Sequence, residues 1–205
     1  MDRFGQIVWG IVRAGARAGV IVAAVLGLLA LMFYVEYQQR ASEFDLDLVA
    51  KIPERSVVYD GYGRTLAFIQ GENRFLIPLE QVPKDFINAL LAREDSRFWQ
   101  HDGIDLIGIL RAATANMQQG AVRQGGSTIT QQLARNTFAL KARTLDRKLL
   151  EAFLARRIEK RYSKQEILEF YINRVYFGAG AYGLQRAAQV YFGKPAEQLT
   201  LSECA

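Results

Sequence analysis

Two glutamates stand on predicted apolar helix faces, where a carboxylate needs either a partner or a task. Glu94 follows Ile87 by seven residues and precedes Phe98 by four, so all three share one face of a predicted helix. Carboxylates are rarely buried without such a reason, and a partly buried one suits general base or acid chemistry. The alternative is a surface ion pair with Arg93 or Arg97, although the helical phase points both arginines away from this face.

The second glutamate, Glu151, shares a helical stripe with Leu154 and Ile158. Arg147 and Lys148 precede it by four and three residues, so the pattern describes an acid held by cations. The alternative is an exposed i,i+4 ion pair worth about 0.3 kcal/mol, and spacing alone favours it.

A glycine-rich loop from Arg123 to Thr128 leads into a predicted helix. Free amides at a helix start, with hydroxyls and a nearby arginine, form an anion site, although the spacing is not that of a Walker motif. The single histidine, His101, and the single cysteine, Cys204, exclude a His-rich metal site, a multi-thiolate zinc site and an internal disulfide. His101 is expected to hydrogen-bond in a turn between two helices; a Ser-His-Asp catalytic set is the alternative.

Helices are predicted to carry most of these residues. Pro83 suits the start of the helix that contains Glu94, and Asp105 caps a helix closed by Gly120. That helix has an apolar stripe of Leu106, Ile109, Leu110, Ala113 and Met117. Helix starts are also predicted at Ser127 or Thr128, at Thr144 (a helix to about Arg161), and at capping boxes 163–166 and 200–203. Residues 56–77 alternate like a short β-hairpin or small sheet.

Residues 18–35 contain no charge, and a helix of that length spans about 27 Å, close to the hydrocarbon core of a bilayer. Arginines precede this segment and acidic residues follow it, which predicts a cytoplasmic N-terminus. The expected organisation is therefore a cytoplasmic segment 1–17, a transmembrane helix 18–35, a polar stalk 36–55 and a folded domain 56–205. A signal peptide or a buried core helix are the alternatives, but no cleavage site is apparent and no face of the segment is polar.

Half of the residues are hydrophobic and 23% are charged, so the composition is globular, and the formal net charge is +5. Residues 135–164 hold ten Lys or Arg against three Asp or Glu. Such a block suits nucleic acid, anionic lipid head groups or diphosphates. The predicted anchor favours the lipid or diphosphate alternative, and no nucleic acid partner is expected.

Four ordered segments together resemble glycosyltransferase family 51, the peptidoglycan polymerase domain of class A penicillin-binding proteins and of monofunctional glycosyltransferases. They are EDSRFWQHDG (94–103), GGSTITQQLARN (125–136), RKLLEAFLARRIE (147–159) and the region 163–193. The resemblance extends from about Pro53 to the C-terminus. Arg135 stands where lysine is commoner in the family, and a further helical motif is absent after Ala205, so the domain is expected to be C-terminally truncated.

The resemblance implies a mainly α, lysozyme-like bilobal domain with a small N-terminal β-hairpin and a membrane-dipping lobe. It implies polymerisation of lipid II, with Glu94 as general base and with loss of undecaprenyl diphosphate and inversion at the donor carbon. Glu151 either orients the cations or holds a divalent ion, Mg²⁺ or Mn²⁺; no organic cofactor is expected. The implied substrate-binding residues are Ser127, Thr128, Gln132, Arg135, Arg147 and Lys148.

The implied partners are lipid II, the growing glycan strand, inner-membrane lipid and other cell-wall synthesis proteins, with the domain on the periplasmic side. Two alternatives stay open. One is a lysozyme-like enzyme that cleaves peptidoglycan with paired carboxylates. The other is an inactive, membrane-tethered cell-wall scaffold.

Overall fold

The computed structural model describes residues 3–52, 57–68, 75–119 and 125–205, in two compact units, 1–43 and 44–205. Within the first unit, helix α1 (Arg3–Ser42) contains one segment, Gly15–Ser42, that is long and apolar enough to cross a membrane. This segment has 28 residues and is therefore longer than the predicted span 18–35. At about 1.5 Å per residue, even the shorter segment matches a hydrocarbon core.

The predicted stalk, residues 36–55, is not a single separate segment in the structure. Residues 36–42 continue α1, and the second unit already begins at Phe44. Its first helix, α2 (Asp47–Ala50), is short, and Val49 within it is fully buried. Arg174 donates hydrogen bonds of 3.0–3.2 Å to the carbonyls of Leu48, Val49 and Lys51. Residues 44–52 are therefore a packed part of the second unit, while 53–56 lie outside the described residues.

The predicted hairpin is confirmed as two antiparallel strands, β1 (Val57–Tyr59) and β2 (Thr65–Phe68). Asp60 shapes the turn because its Oδ1 accepts hydrogen bonds from the backbone N–H groups of Tyr62 and Arg64. Residues 75–77, which share the alternating pattern, are not a strand. The amide of Asn173 instead binds both the N–H and the C=O of Ile77 at 2.9 Å, as a neighbouring strand would.

The predicted helix starts after Thr128, Thr144, Ser163 and Thr200 are confirmed. Capping boxes are present at Thr128, Ser163 and Thr200. The four starts open α5 (Ile129–Thr137), α6 (Leu145–Arg161), α7 (Lys164–Arg174) and α9 (Leu201–Cys204), and α8 (Leu184–Phe192) ends at Gly193. Helix α5 packs against α6 and α7, and this contact forms the centre of the core. Its fully buried side chains include those of Ile129, Leu133, Leu154, Ile158, Ile167 and Ile172.

Helix α3 (Lys84–Glu94) begins after Pro83, as predicted, but it ends at Glu94. The expectation that one helix carries both Glu94 and Phe98 is therefore wrong. Phe98 is fully buried in a separate 3-10 turn, Phe98–Gln100. The helix stops because Asp95 leaves helical geometry, with φ −161° and ψ 72°.

Helix α4 (Leu106–Gln119) follows Asp105, as predicted, but its apolar stripe is exposed. Leu106, Leu110 and Met117 are 69%, 67% and 83% exposed, and the buried face instead carries Gly108 and Ala112. Periodicity identified the helix correctly but did not reveal which face meets the protein. The predicted stop at Gly120 lies outside the described residues.

Candidate active site

A cleft of about 910 Å³ opens where the end of α3, the start of α4 and the loop before α5 meet. Four of the predicted site residues line it together with Glu94, which is half-buried. The side chains that give the cleft its polar character are those of Arg93, Glu94, Asp95, Ser96, Asp105, Arg111, Ser127, Thr128, Gln132 and Arg135.

Glu94 is the last residue of α3, and its carboxylate is held from α5. Gln132 Nε2 donates a hydrogen bond to Glu94 Oε2 at 2.9 Å. Among the described residues, no cation lies within 4.0 Å of this carboxylate, so the predicted alternative of a pair with Arg93 or Arg97 is not what forms. Arg97 instead pairs with Asp105 at 3.2 Å. Glu94 thus keeps acceptor capacity beside the cleft.

Asp95 joins the turn after α3 to the start of α5. Its carboxylate oxygens lie 3.0 and 3.1 Å from His101 Nε2, and Oδ2 accepts the backbone N–H of Ile129 at 3.0 Å. His101 Nδ1 accepts the N–H of Gly103, so Nε2 carries the proton toward Asp95. The structural role predicted for His101 is confirmed. This buried pair fixes Glu94, the neighbouring residue, against α5.

Gly103 allows the same turn to approach α6. Its φ is +88°, and a Cβ there would lie 2.9 Å from the carbonyl carbon and oxygen of Ala155. The Gly103 carbonyl accepts a 2.7 Å hydrogen bond from the Thr128 hydroxyl. That hydroxyl also accepts the N–H of Gln131 as the helix cap. Thr128 is only 2% exposed, so both functions of its hydroxyl are used within the protein.

Ser127 is connected to a charged cluster on α6. Lys148 Nζ donates a hydrogen bond to Ser127 Oγ and lies 3.2 Å from Glu151 Oε2, while Arg147 Nε lies 3.3 Å from Glu151 Oε1. Glu151 is fully buried, so the exposed-ion-pair alternative is wrong and the pattern of an acid held by cations is confirmed. Burial lowers the pKa of Lys148, and the Glu151 carboxylate partly opposes that effect.

The eight predicted residues thus fall into two layers. Glu94, Ser127, Thr128, Gln132 and Arg135 line the cleft, whereas Arg147, Lys148 and Glu151 lie behind Ser127. Within the described part of the chain, Arg135 has no carboxylate partner within 4.0 Å. Arg123 and Gln124, the first two residues of the predicted anion loop, lie outside the described residues.

The Glu151 carboxylate fits cations of the protein better than it fits a metal. Both of its oxygens already face nitrogen cations, and it has no solvent-accessible surface. Divalent Mg²⁺ prefers several oxygen ligands and retained waters. Across the four described ranges, no group of three or more His, Cys, Asp or Glu could supply such a set.

Several residues in or behind the cleft were not among the predicted site residues, and Asp95, Arg111 and Tyr171 are three of them. Asp95 stands next to Glu94 in the first motif, Arg111 lies on α4, and Tyr171 lies on α7 behind Gln132. Asp95 and Tyr171 belong to the first and fourth motif segments, but their roles depend on contacts with residues 34 and 39 positions away in the chain. Arg111 has no comparable signal in the sequence.

Comparisons with known proteins agree with this arrangement. A family model described as Transglycosylase matches residues 62–205. Penicillin-binding protein 1A of Aquifex aeolicus is 44% identical over 91% of this chain and 26% of its own length. Penicillin-binding protein 1A of Escherichia coli is 48% identical over 78% of this chain and 18% of its own. Penicillin-binding protein 4 of Bacillus subtilis is 41% identical over 78% of this chain and 26% of its own length.

The chain therefore spans about a quarter or less of the length of these relatives. The matched region covers strand β2, the cleft and all eight predicted site residues. The order of the four motifs and the mainly helical, lysozyme-like domain lead to the same conclusion: the chain belongs to the transglycosylase family, glycosyltransferase family 51.

Proposed function

We propose that this protein is a peptidoglycan glycosyltransferase that polymerises lipid II into glycan strands. In this reaction, the 4-hydroxyl of one sugar attacks the anomeric carbon of the growing strand, and undecaprenyl diphosphate leaves with inversion. The observation that carries the proposal is a carboxylate, Glu94, in one cleft with an arginine, Arg135, that has no carboxylate partner among the described residues; the half-buried Lys148 lies behind Ser127. The family match supports the reaction class.

Glu94 is the proposed general base. A sugar hydroxyl is a weak nucleophile until its proton is removed in the transition state. Among the described residues, Glu94 receives one side-chain hydrogen bond, from Gln132, so its carboxylate retains capacity to accept a proton. The other carboxylates of the cleft are engaged, since Asp95 binds His101 and Asp105 binds Arg97.

The leaving diphosphate is proposed to bind on the Ser127 side of the cleft. A lysine ammonium has no acceptor, so Lys148 can only donate to Ser127 Oγ. The Ser127 hydroxyl must then direct its own proton elsewhere, and the cleft is available to it. Ser127, Arg135 and Lys148 would thus favour a group that gains negative charge as the glycosidic bond breaks.

Glu151 is proposed to hold Lys148 and Arg147 in place. With both oxygens facing those cations, the carboxylate fixes the positions of two charges before substrate arrives. Preorganised charge of this kind stabilises a transition state without reorganisation during the reaction. Thr128 contributes indirectly by capping α5 and holding Gly103.

The hydrolase alternative is less well supported. Glycosidases need two carboxyl groups on either side of the scissile bond, separated by roughly 5–9.5 Å. Glu151 does not line the cleft and is neutralised by two cations. Among the described residues, Glu94 therefore has no uncommitted carboxylate partner in the cleft.

The protein is further proposed to work at the outer face of the inner membrane, with its N-terminus in the cytoplasm. Helix α1 has the length and apolar character of an anchor, and the arginines before it fit the positive-inside rule. The exposed leucines of α4 would contact the lipid that carries the substrate. Such an arrangement brings lipid II, membrane lipid and other cell-wall synthesis proteins within reach as partners.

Polymerisation of labelled lipid II by the intact chain in detergent tests the proposal. Replacing the base with Glu94→Gln should slow chain growth by at least about 100-fold, the usual contribution of general base catalysis. Glu80→Gln, an exposed glutamate outside the cleft, is the matched control and should polymerise normally. Retained chain growth in Glu94→Gln, with an unchanged circular dichroism spectrum, would remove Glu94 from this role.

A further inference from the structure

Behind the proposed base, three side chains from three helices form a hydrogen-bonded row. The Tyr171 hydroxyl on α7 lies 3.1 Å from Gln132 Oε1 on α5, and Gln132 Nε2 lies 2.9 Å from Glu94 Oε2 on α3. Tyr171 is only 2% exposed. We propose that Tyr171 is a positioning residue for the base. Tyr171 holds the Gln132 amide oxygen, so that the Gln132 NH₂ group points at Glu94. This inference rests on the function proposed for Glu94.

The direction of each hydrogen bond follows from the chemistry of the groups. An ionised carboxylate can only accept, so the Gln132 edge that faces Glu94 must be the NH₂ group. The amide oxygen then faces Tyr171, which must donate its hydroxyl proton. If the amide were reversed, its oxygen would face the charged carboxylate and the hydrogen bond to Glu94 would be lost. Glu94 therefore selects the orientation of the amide, and Tyr171 holds the amide oxygen in that orientation.

Tyr171 is suited to be a constant donor. Burial raises the pKa of its hydroxyl far above the working range, and the nearby Glu94 charge raises it further. The hydroxyl therefore stays protonated while Glu94 changes its protonation state. A phenylalanine would fill the same buried space but could not donate, so the Gln132 amide oxygen would lose the partner that holds it in place.

The row also has a defined arrangement after proton transfer. When the sugar O–H bond breaks, its proton moves to Glu94, which then becomes a donor. The proton can occupy Oε1, which leaves Oε2 to accept from Gln132 Nε2 as before. A hydrogen bond to an ionised carboxylate is stronger than one to a neutral carboxyl group, so the row supports the ionised base more than the protonated one.

The variant Tyr171→Phe tests the positioning role through kinetics. We expect kcat for lipid II polymerisation to fall about tenfold, the factor that one hydrogen bond controls, with KM within about twofold. The acidic limb of the pH–rate profile should move to higher pH, because the ionised base loses support. The other charged groups of the cleft, Arg93, Asp95, Asp105, Arg111 and Arg135, are unchanged in this variant.

Tyr162→Phe is the matched control, because Tyr162 also donates one hydrogen bond, to the Leu46 carbonyl, away from the cleft. It should leave the pH–rate profile unmoved. In a Gln132→Ala background, Tyr171→Phe should cause no further loss, since Tyr171 acts through the amide. An unmoved acidic limb in Tyr171→Phe, an equal shift in Tyr162→Phe, or a full loss in the Gln132→Ala background would overturn the inference.

A measurement without turnover separates this inference from the proposed function. In the chain labelled with ¹⁵N at glutamine side chains, the Gln132 NH₂ signals should exchange with water about tenfold faster in Tyr171→Phe than in the wild type. Unchanged exchange would refute the positioning role even if polymerisation occurs. Absence of polymer from the wild type would refute the proposed function and leave this readout intact.

Discussion

Removing the buried charge of Glu151 is the most informative perturbation of the cation layer. Glu151→Gln keeps the shape of the side chain but leaves the Arg147 and Lys148 cations without their carboxylate. We expect two separate effects, a loss of stability and a loss of catalysis. The catalytic effect arises because Lys148 would no longer be held against Ser127.

The stability effect can be estimated from burial. Breaking a fully buried ion pair costs about 3–5 kcal/mol. The Arg147 and Lys148 side chains are 21% and 37% exposed, so they can regain part of their hydration. We therefore expect the free energy of unfolding to fall by about 2–3 kcal/mol. For a domain of this size, that corresponds to a Tm lower by roughly 4–12 °C.

Urea denaturation and the lipid II assay measure the two effects independently. The double variant Glu151→Leu/Lys148→Met replaces the carboxylate and the ammonium group by apolar groups and leaves only the Arg147 charge, which solvent can reach. It should recover part of the stability while polymerisation stays impaired. Glu197→Gln, an exposed glutamate, serves as the control and should match the wild type in both assays. A Glu151→Gln protein within about 0.5 kcal/mol of the wild type and with near-normal turnover would refute the reasoning.

Two further predictions concern Lys148 and Arg174. Because burial lowers the pKa of Lys148, its positive charge is lost at a lower pH than that of an exposed lysine, so polymerisation should decline early on the alkaline side. In Lys148→Arg this decline should move to higher pH, and an unmoved alkaline limb would exclude Lys148 as its cause. Arg174→Met leaves the carbonyls of residues 48, 49 and 51 without their donor and should lower the free energy of unfolding by about 2–4 kcal/mol. The free energy of unfolding of Arg174→Lys should lie between those of the wild type and Arg174→Met. A urea midpoint for Arg174→Met equal to that of the wild type would show that water replaces the guanidinium group.

Local signals predicted the helix starts well. The caps at Thr128, Thr144 and Ser163 need only neighbours within three residues, so their chemistry is contained in the sequence. Helical phase placed Glu151 on one stripe with Leu154 and Ile158, which are buried, but the spacing of Arg147 and Lys148 alone favoured an exposed ion pair. Helix starts were therefore predictable from neighbouring residues, whereas the burial of Glu151 was not.

Other features depend on partners that are distant in the chain. The end of α3 at Glu94 reflects the contacts of Asp95 with His101 and Ile129, which no helical periodicity contains. Hydrophobic periodicity also could not predict which face of α4 packs against the protein, because an apolar stripe can face either a core or a membrane. Tyr171 was overlooked because an aromatic residue on a buried face ordinarily indicates packing alone.

The contact between Gly103 and α6 allows almost no variation in this part of the fold. The space beside Gly103 cannot hold even one methyl group without moving the Ala155 backbone. Ala155 lies one helical turn beyond Glu151, so a displacement there would also shift the cations that depend on that carboxylate. A substitution at Gly103 would therefore disturb both the turn that carries the proposed base and the helix that carries the cation cluster, although residue 103 has no side chain in either.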